Sequence, residues 1–379
     1  MNMRKQWTID VFYLAAFLMF IKTMVPLSGI FHFSAIVENT FITLALVCFI
    51  WVIIVTKYKV RVLVIYSVLS LLVIVSSLFA KDYILLITLV CVFALGERDF
   101  NGFIKFLFKL QLLYFIAQTL CAMGYHLINP QYQLYSIIMD IKRYHLGYAH
   151  PNVCAAAVIG IILSWCWVNF ERIRQRNVLA ILCLIIVLYI LTRSRSSLMC
   201  GLLLCLLLLV KNTEKSALRA LVLRVSPYAA PFCAALTIFL MFHYSKDNAI
   251  VMALDRLLTG RIKLGAYGLQ NEGATFAGHF IPYLNGQVTW DPYWMINDFT
   301  FDNIYSDSLV HMGFIWLAVY TAVFYLLGRK RNFKISCYVI IWAVYGLTEV
   351  HGLNGFIWIP VLISAYLSKG VIISYIRPS

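Results

Sequence analysis

The sequence predicts an all-α, polytopic integral membrane protein. Three observations carry that prediction. Of 379 residues, 62% are apolar and only 12% charged, with a mean hydropathy of +0.85, whereas a soluble domain carries about 25% charged residues. The apolar residues fall in runs near the length of about 20 that crosses a bilayer. Those runs, 202–210 among them, show no period-two alternation, so their backbone groups are satisfied inside helices and not in a closed barrel. The same composition excludes a soluble enzyme, a disordered chain, a collagen and a disulfide-stapled secreted module.

Twelve candidate spans follow in order, near 11–28, 36–56, 61–80, 82–96, 103–123, 152–170, 177–192, 196–210, 225–243, 304–327, 335–349 and 353–375. The fourth, eighth and eleventh are short, which leaves a count of ten or eleven open. Arg4 and Lys5 precede the first span without a small-residue cleavage site, so that span is expected to stay as an anchor. Basic residues gather in alternate connections: Lys57, Lys59 and Arg61; Arg172, Arg174 and Arg176; Lys211, Lys215, Arg219 and Arg224; Arg329, Lys330, Arg331 and Lys334. The positive-inside rule puts these turns and both termini in the cytoplasm. The net charge of +15 is first this topological signal and in part suits an anionic ligand; no nucleic-acid partner is expected. The ten cysteines form no Cys-x-x-Cys pair and read as small apolar helix residues.

Residues 1–379 read as one membrane domain with two long outer connections, 124–151 and 244–303. Connections longer than about 12–15 residues are usually functional when they are not disordered, and neither of these has a disordered composition. Short helices are expected around 248–270. Tyr283, Trp290, Tyr293, Trp294, Phe299 and Phe301 suit either an interfacial belt or the apolar faces of sugars. No internal repeat points to an inverted-repeat transporter.

Arg143, Arg193, Arg195, Arg256 and Arg261 fall on the outer side, against the charge bias. Arginine carries a permanent charge on a planar fork that matches phosphate oxygens two at a time. Several of them around one outer cavity would suit a lipid pyrophosphate. Snorkelling, or pairing with Asp247, Asp255 or Glu272, is the structural alternative. Arg193-Ser194-Arg195-Ser196-Ser197 sets two forks on one tight turn, and Ser194 or Ser196 also suits a helix N-cap.

His150-Pro151-Asn152 opens the sixth span, where Pro suits the first helical turn. The same helix N-terminus can face an anion beside Arg143, with His150 as donor or base. Asp302, just before the tenth span, is a candidate general base and equally a candidate cap. Asp291, Asp298, Asp302 and Asp307 fit no metal-binding loop spacing, so neither metal nor cofactor is expected.

Read in order, these segments resemble a known family. Arg143-x-x-Leu146-Gly147-Tyr148-x-His150-Pro151-Asn152, Thr192-Arg193-Ser194-Arg195-Ser196, Leu258-Thr259-Gly260-Arg261, and Asp302-Asn303-x-Tyr305 with Gly313 are similar to stretches of Wzy-type polysaccharide repeat-unit polymerases. The likeness covers about 143–316; the first 140 residues match in hydropathy alone. It implies a membrane-embedded, glycosyltransferase C-type fold in the bacterial plasma membrane. It also implies inverting transfer of a growing glycan from undecaprenyl pyrophosphate to the sugar of a new lipid-linked repeat unit, at the outer face and without a nucleotide sugar. The product would be a capsule, exopolysaccharide or O-antigen chain. Implied partners are the lipid-linked oligosaccharide, membrane lipids, a chain-length regulator and a flippase.

In that frame Arg143, Arg193, Arg195, Arg256 and Arg261 hold pyrophosphate, and Asp302 or His150 is the base. Asn152, Asn303 and Tyr305 touch other parts of the substrate. The related O-antigen ligases carry His, then Asn, Ser or Gln, then nine residues, then Gly-x-x-Gly. Here Asn303 leads to Gly313, but Asp302 stands at the His position and Trp316 at the final Gly position, which favours a polymerase. His311 and His351 are nearby alternatives for the base. A ligase, another lipid-linked glycan transferase, or a flippase of the same lipid-linked unit is the competing expectation.

Overall fold

The computed structural model describes residues 3–96, 98–138, 140–213, 217–288 and 293–369. The described chain is mainly helical. In order the helices are α1 (Met3–Met24), α2 (Ala35–Val55), α3 (Val60–Ala80), α4 (Ile84–Leu95), α5 (Phe100–Ile128), α6 (Pro151–Asn169), α7 (Gln175–Thr192) and α8 (Arg195–Lys211). They continue with α9 (Ala217–Phe242), α10 (Ala249–Leu257), α11 (Arg261–Glu272), α12 (Ile304–Asp307), α13 (Phe314–Gly328), α14 (Phe333–Tyr345) and α15 (Ala365–Lys369). Two small antiparallel hairpins join them: β1 (Tyr135–Ile138) with β2 (Ile141–Tyr144), and β3 (Gly286–Gln287) with β4 (Asp298–Phe299). Seven helical segments are long and apolar enough to cross a membrane; they include α2, α3, α5, α7 and α9.

The helices follow the apolar runs, with α1 and α9 starting eight residues earlier than expected and three further differences. First, α5 reaches Ile128, five residues past the expected end. It starts on Asp99, whose carboxylate accepts the Asn101 N–H at 3.0 Å, and stops at Asn129, which precedes Pro130 and is barred from helical conformation by the Pro ring.

Second, 304–327 is not one helix. A short α12 runs into a π-helical turn (Ser308–Met312), and Gly313 at φ +99° breaks the chain before α13. Third, 353–375 is not a continuous helix. Tight 3-10 turns (Val350–Leu353 and Ile359–Ser364) precede α15, and Pro360 supplies no N–H. Residues past 369, with Lys215, Trp290, Asp291 and Arg377, lie outside the described residues.

The chain forms two compact units. Among the described residues, one comprises 3–59, 90–213 and 354–369, and the other comprises 60–89 and 217–353. In the first, α1 packs on α2 and α5 on α6, with Phe12 against Phe49 and Phe103, and Phe100 against Trp167. One face of α5 carries Gln111, Tyr114 and Gln118, at three- and four-residue spacing. Each of these side chains binds backbone outside any helix or at a helix end. Gln111 Nε2 donates to the Phe356 and Ile357 carbonyls at 2.8 and 3.2 Å, and its Oε1 accepts from Ser164 at 2.8 Å. Tyr114 donates to the Met24 carbonyl at 2.8 Å. Gln118 Nε2 donates to Ser28 Oγ and the Gly147 carbonyl. Gly160 of α6 leaves room for the Ile357 carbonyl, which a Cβ would overlap.

In the second unit the loop after α11 repairs the break at Gly313. The Thr275 and His279 N–H groups donate to the Leu309 and His311 carbonyls at 3.2 and 3.0 Å. The Phe314 and Ile315 N–H groups donate back to Thr275 and Phe276 at 2.7 and 3.1 Å. Gly278 (φ +91°) and Gly313 meet so closely that a Cβ on either would overlap backbone. Around this seam Trp342 stacks on Phe324 at 3.7 Å and donates to the Gly352 carbonyl at 2.9 Å.

Gln111→Leu is therefore expected to lower stability by about 1–3 kcal/mol, because it strands two buried carbonyls. Thermal unfolding in detergent measures it. An unchanged midpoint would show that these carbonyls need no side-chain donor.

Candidate functional site

Two clusters hold most of the site residues expected from sequence, one in each unit. In the first unit, the antiparallel register of β1 and β2 sets Arg143 opposite Ser136. From there its Nε donates to the Thr192 carbonyl at 2.8 Å and its Nη2 to Asn152 Oδ1 at 2.5 Å. Arg143 thus ties the hairpin to the end of α7 and the start of α6. His150 is the N-cap of α6: its Nδ1 accepts the Asn152 N–H at 3.1 Å, and Pro151 follows in the first turn. An Nδ1 that accepts carries no proton, so the helix start fixes the tautomer of His150. Asn152 accepts from Arg143 through its side-chain oxygen and donates to His150 through its backbone N–H.

The turn between α7 and α8 treats its arginines differently. Arg193 closes α7 at φ +53°, exposed, with its guanidinium 5.9 Å from the Tyr189 ring. Arg195 opens α8, exposed, with no hydrogen-bond or ionic partner among the described residues. Ser194 is the N-cap by position, but its hydroxyl donates to Ser197 Oγ and caps no backbone N–H. Two forks thus stand at one helix start, and among the described residues no carboxylate pairs with either.

In the second unit, Thr259 (φ +56°) and Gly260 (φ +84°) turn the chain sharply from α10 into α11. Arg261 opens α11 and is saturated. Its Nη2 lies 3.1 Å from Asp302 and 3.6 Å from Glu349, its Nε donates to the Thr348 carbonyl at 3.2 Å, and its Nη1 binds Thr259. Two carboxylates share one guanidinium, so an incoming phosphate would meet net negative charge. The side chains of Arg261 and Glu349 are 11% and 6% exposed, and that of Asp302 is 30% exposed. Asp302 is the member of the group that solvent or a ligand reaches.

The cap considered for Asp302 is supplied by Asn303, whose Oδ1 accepts the Tyr305 and Ser306 N–H groups at 2.8 and 3.2 Å. Asn303 also donates to Thr237 and to the Leu347 carbonyl, and the Tyr305 hydroxyl donates to the Ala343 carbonyl. Both residues are buried. They stand behind Asp302 and hold its segment, with no polar atom turned to a ligand. His351 lies in the turn after α14; burial holds its imidazole below the ordinary range, and the charge of Asp302 opposes that shift. Arg256 is elsewhere, exposed on α10.

Sequence reasoning missed Glu349, although a lone acid in the apolar stretch 333–353 is a signal in itself. Glu272, considered from sequence as an arginine partner, instead ends α11 bound to two side chains of the loop that follows. There Glu272 accepts from His279 Nε2 at 2.7 Å and from the Tyr283 hydroxyl. Burial pushes the Glu272 carboxyl up, but these two hydrogen bonds outweigh it and hold the group below its ordinary value. His311 pairs with Asp307 at 3.1 Å and with the Ala80 carbonyl at 3.1 Å, buried on both sides. Among the described residues no three His, Cys, Asp or Glu side chains come together as a metal site.

Removing Arg261 leaves Glu349 buried without its counter-charge, a change that costs about 3–5 kcal/mol. Arg261→Met is therefore expected to destabilise strongly, whereas Arg195→Gln, at an exposed position, stays within about 0.5 kcal/mol. Thermal unfolding of the two variants in one detergent checks the contrast, and equal midpoints would refute it. Compared with protein-family models, curated proteins and solved structures, the chain matches none.

Proposed function

We propose that the protein is a Wzy-type polymerase of lipid-linked oligosaccharides, acting at the outer face of a bacterial plasma membrane. The observation that carries the reading is the pair of exposed arginines, Arg193 and Arg195, at one helix start without acidic partners. Seven segments of spanning length and the ordered likeness of 143–316 to the polymerase family support it.

The chemistry needs few parts. The hydroxyl of an acceptor sugar attacks the anomeric carbon of the donor glycan from the face opposite the lipid pyrophosphate. A new C–O bond forms, the bond to pyrophosphate breaks, and the electron pair leaves on the phosphate oxygen. Arg193 and Arg195 stabilise that growing charge; a preorganised donor of this kind is worth roughly 2.7–4 kcal/mol in the transition state. The hydroxyl proton needs a base; within its own unit Asp302, whose carboxylate Arg261 holds, has the chemistry of one. A base in this role contributes about 10²–10⁴-fold. Arg143, His150, Asn152, Asn303 and Tyr305 position chain segments, and no cofactor takes part in the step.

Purified protein mixed with its lipid-linked repeat unit in liposomes, without nucleotide sugar, is expected to give a ladder of repeat multiples. Asp302→Asn lowers the turnover by about 10²–10⁴-fold at normal membrane levels of protein. Replacing Arg193 and Arg195 together by Gln slows it further at limiting substrate. A single transfer to a different acceptor would make the protein a ligase. Substrate that crosses the bilayer with no new glycosidic bond would make it a flippase, and both results overturn the proposal.

A further inference from the structure

The short helix α10 is apolar on two faces. Val251, with Leu254 and Leu258 beside it, faces inward onto Leu240 and Ile262. Asp255 is on this inner side too, where its carboxylate accepts the Lys263 N–H at 2.9 Å and begins α11. The opposite face carries Ile250 and Leu257, 74% and 71% exposed, with Ala253 and Arg256 between them. A nine-residue helix with two large aliphatic side chains in the open is unstable in water on that side. Each would recover about 1.5–3 kcal/mol on burial.

What covers that face follows from where the helix is tethered. α9 is one of the segments long and apolar enough to cross a membrane, and its last turn exposes Phe239 and Phe242, 56% and 65%. Only six residues separate Phe242 from Ala249. Fully extended, that connection spans about 20–25 Å, so α10 cannot stray far from the bilayer surface at the end of α9. The charge points the same way. Asp255 is turned inward, so Arg256 is uncompensated on the outer face, and Lys246 precedes the helix over the Tyr293 ring. Asp247 is the one exposed acid in 244–257.

We infer that α10 is an interfacial anchor: Ile250 and Leu257 enter the acyl boundary of the bilayer, and Arg256 binds the phosphate of an anionic phospholipid headgroup. An amphipathic helix with a cation beside its apolar stripe binds membranes in this manner. Arg256 then leaves the set of pyrophosphate-binding arginines. The anchor is independent of the polymerase reading, because it needs no glycan substrate.

The test is photo-labelling of the full-length protein in nanodiscs. Diazirine-tailed phosphatidylglycerol or phosphatidylcholine is the probe, at equal amounts in a phosphatidylcholine background, and adducts are mapped by peptide mass spectrometry. Adducts on 249–258 are expected from both probes, about fivefold more from phosphatidylglycerol, as one basic residue near an anionic surface provides. Arg256→Gln should erase that preference and leave labelling of Phe239 and Phe242 unchanged. Labelled α9 with an unlabelled α10 would overturn the anchor. Equal labelling of α10 by both probes would overturn the headgroup role of Arg256. A cross-link from α10 to a second copy of the chain would assign the face to an oligomer instead.

Discussion

A chain this apolar is governed by one constraint: no backbone N–H or C=O can be left without a partner where water is scarce. Long helices satisfy it by themselves. The informative places are where the helix stops, and there the protein spends side chains on backbone. Gln111 holds the carbonyls of the broken segment 356–357, Tyr114 holds the end of α1, and Gln118 holds the carbonyl of Gly147. In the other unit a stretch of loop, 275–279, performs the same task for the π-helical turn and the break at Gly313. The irregular backbone that carries the candidate chemistry exists because these partners are present.

The same economy sorts the arginines. A guanidinium has a limited number of N–H groups, and what they already bind decides what else they can hold. Arg143 is committed to a carbonyl and an amide. Arg261 is committed to two carboxylates and backbone, so its effect is to fix Asp302 in place. Arg193 and Arg195 make no ion pair among the described residues, and Arg256 shares its helix face with aliphatic side chains. Five similar residues in the sequence thus divide by what they bind: Arg143 and Arg261 are committed to chain segments, and Arg193, Arg195 and Arg256 are exposed. Net charge alone does not distinguish these roles; partners do.

Hydropathy made most of the helices legible, because a spanning helix is a property of a local window. The helix start at His150-Pro151 was legible for the same reason: the signals lie within three residues. The breaks were not. Nothing near 304–327 announces that Gly313 meets Gly278, since the close approach joins positions 35 residues apart. The roles of Gln111 and Gln118 were hidden likewise, because an isolated polar residue in an apolar helix says that a partner exists without saying which. At the candidate site, Arg261 and Asp302 were recognisable as charged residues in an unusual place. Their pairing with each other, and the third member Glu349, depended on three segments far apart in the chain. Asn303 and Tyr305 drew attention by sitting in the right motif, and both are buried with their polar side-chain atoms on neighbouring chain segments.

The claim on which this account rests is that Arg193 and Arg195 are the anion-holding pair while Arg261 serves Asp302. The most direct measurement is an electron cryo-microscopy map of the protein in a nanodisc with undecaprenyl pyrophosphate bound. Pyrophosphate density is expected within hydrogen-bond distance of Arg193 and Arg195, with Arg261 still paired to Asp302. Pyrophosphate seated on Arg261, with the Asp302 and Glu349 pairs broken and Arg193 and Arg195 in open solvent, would contradict it.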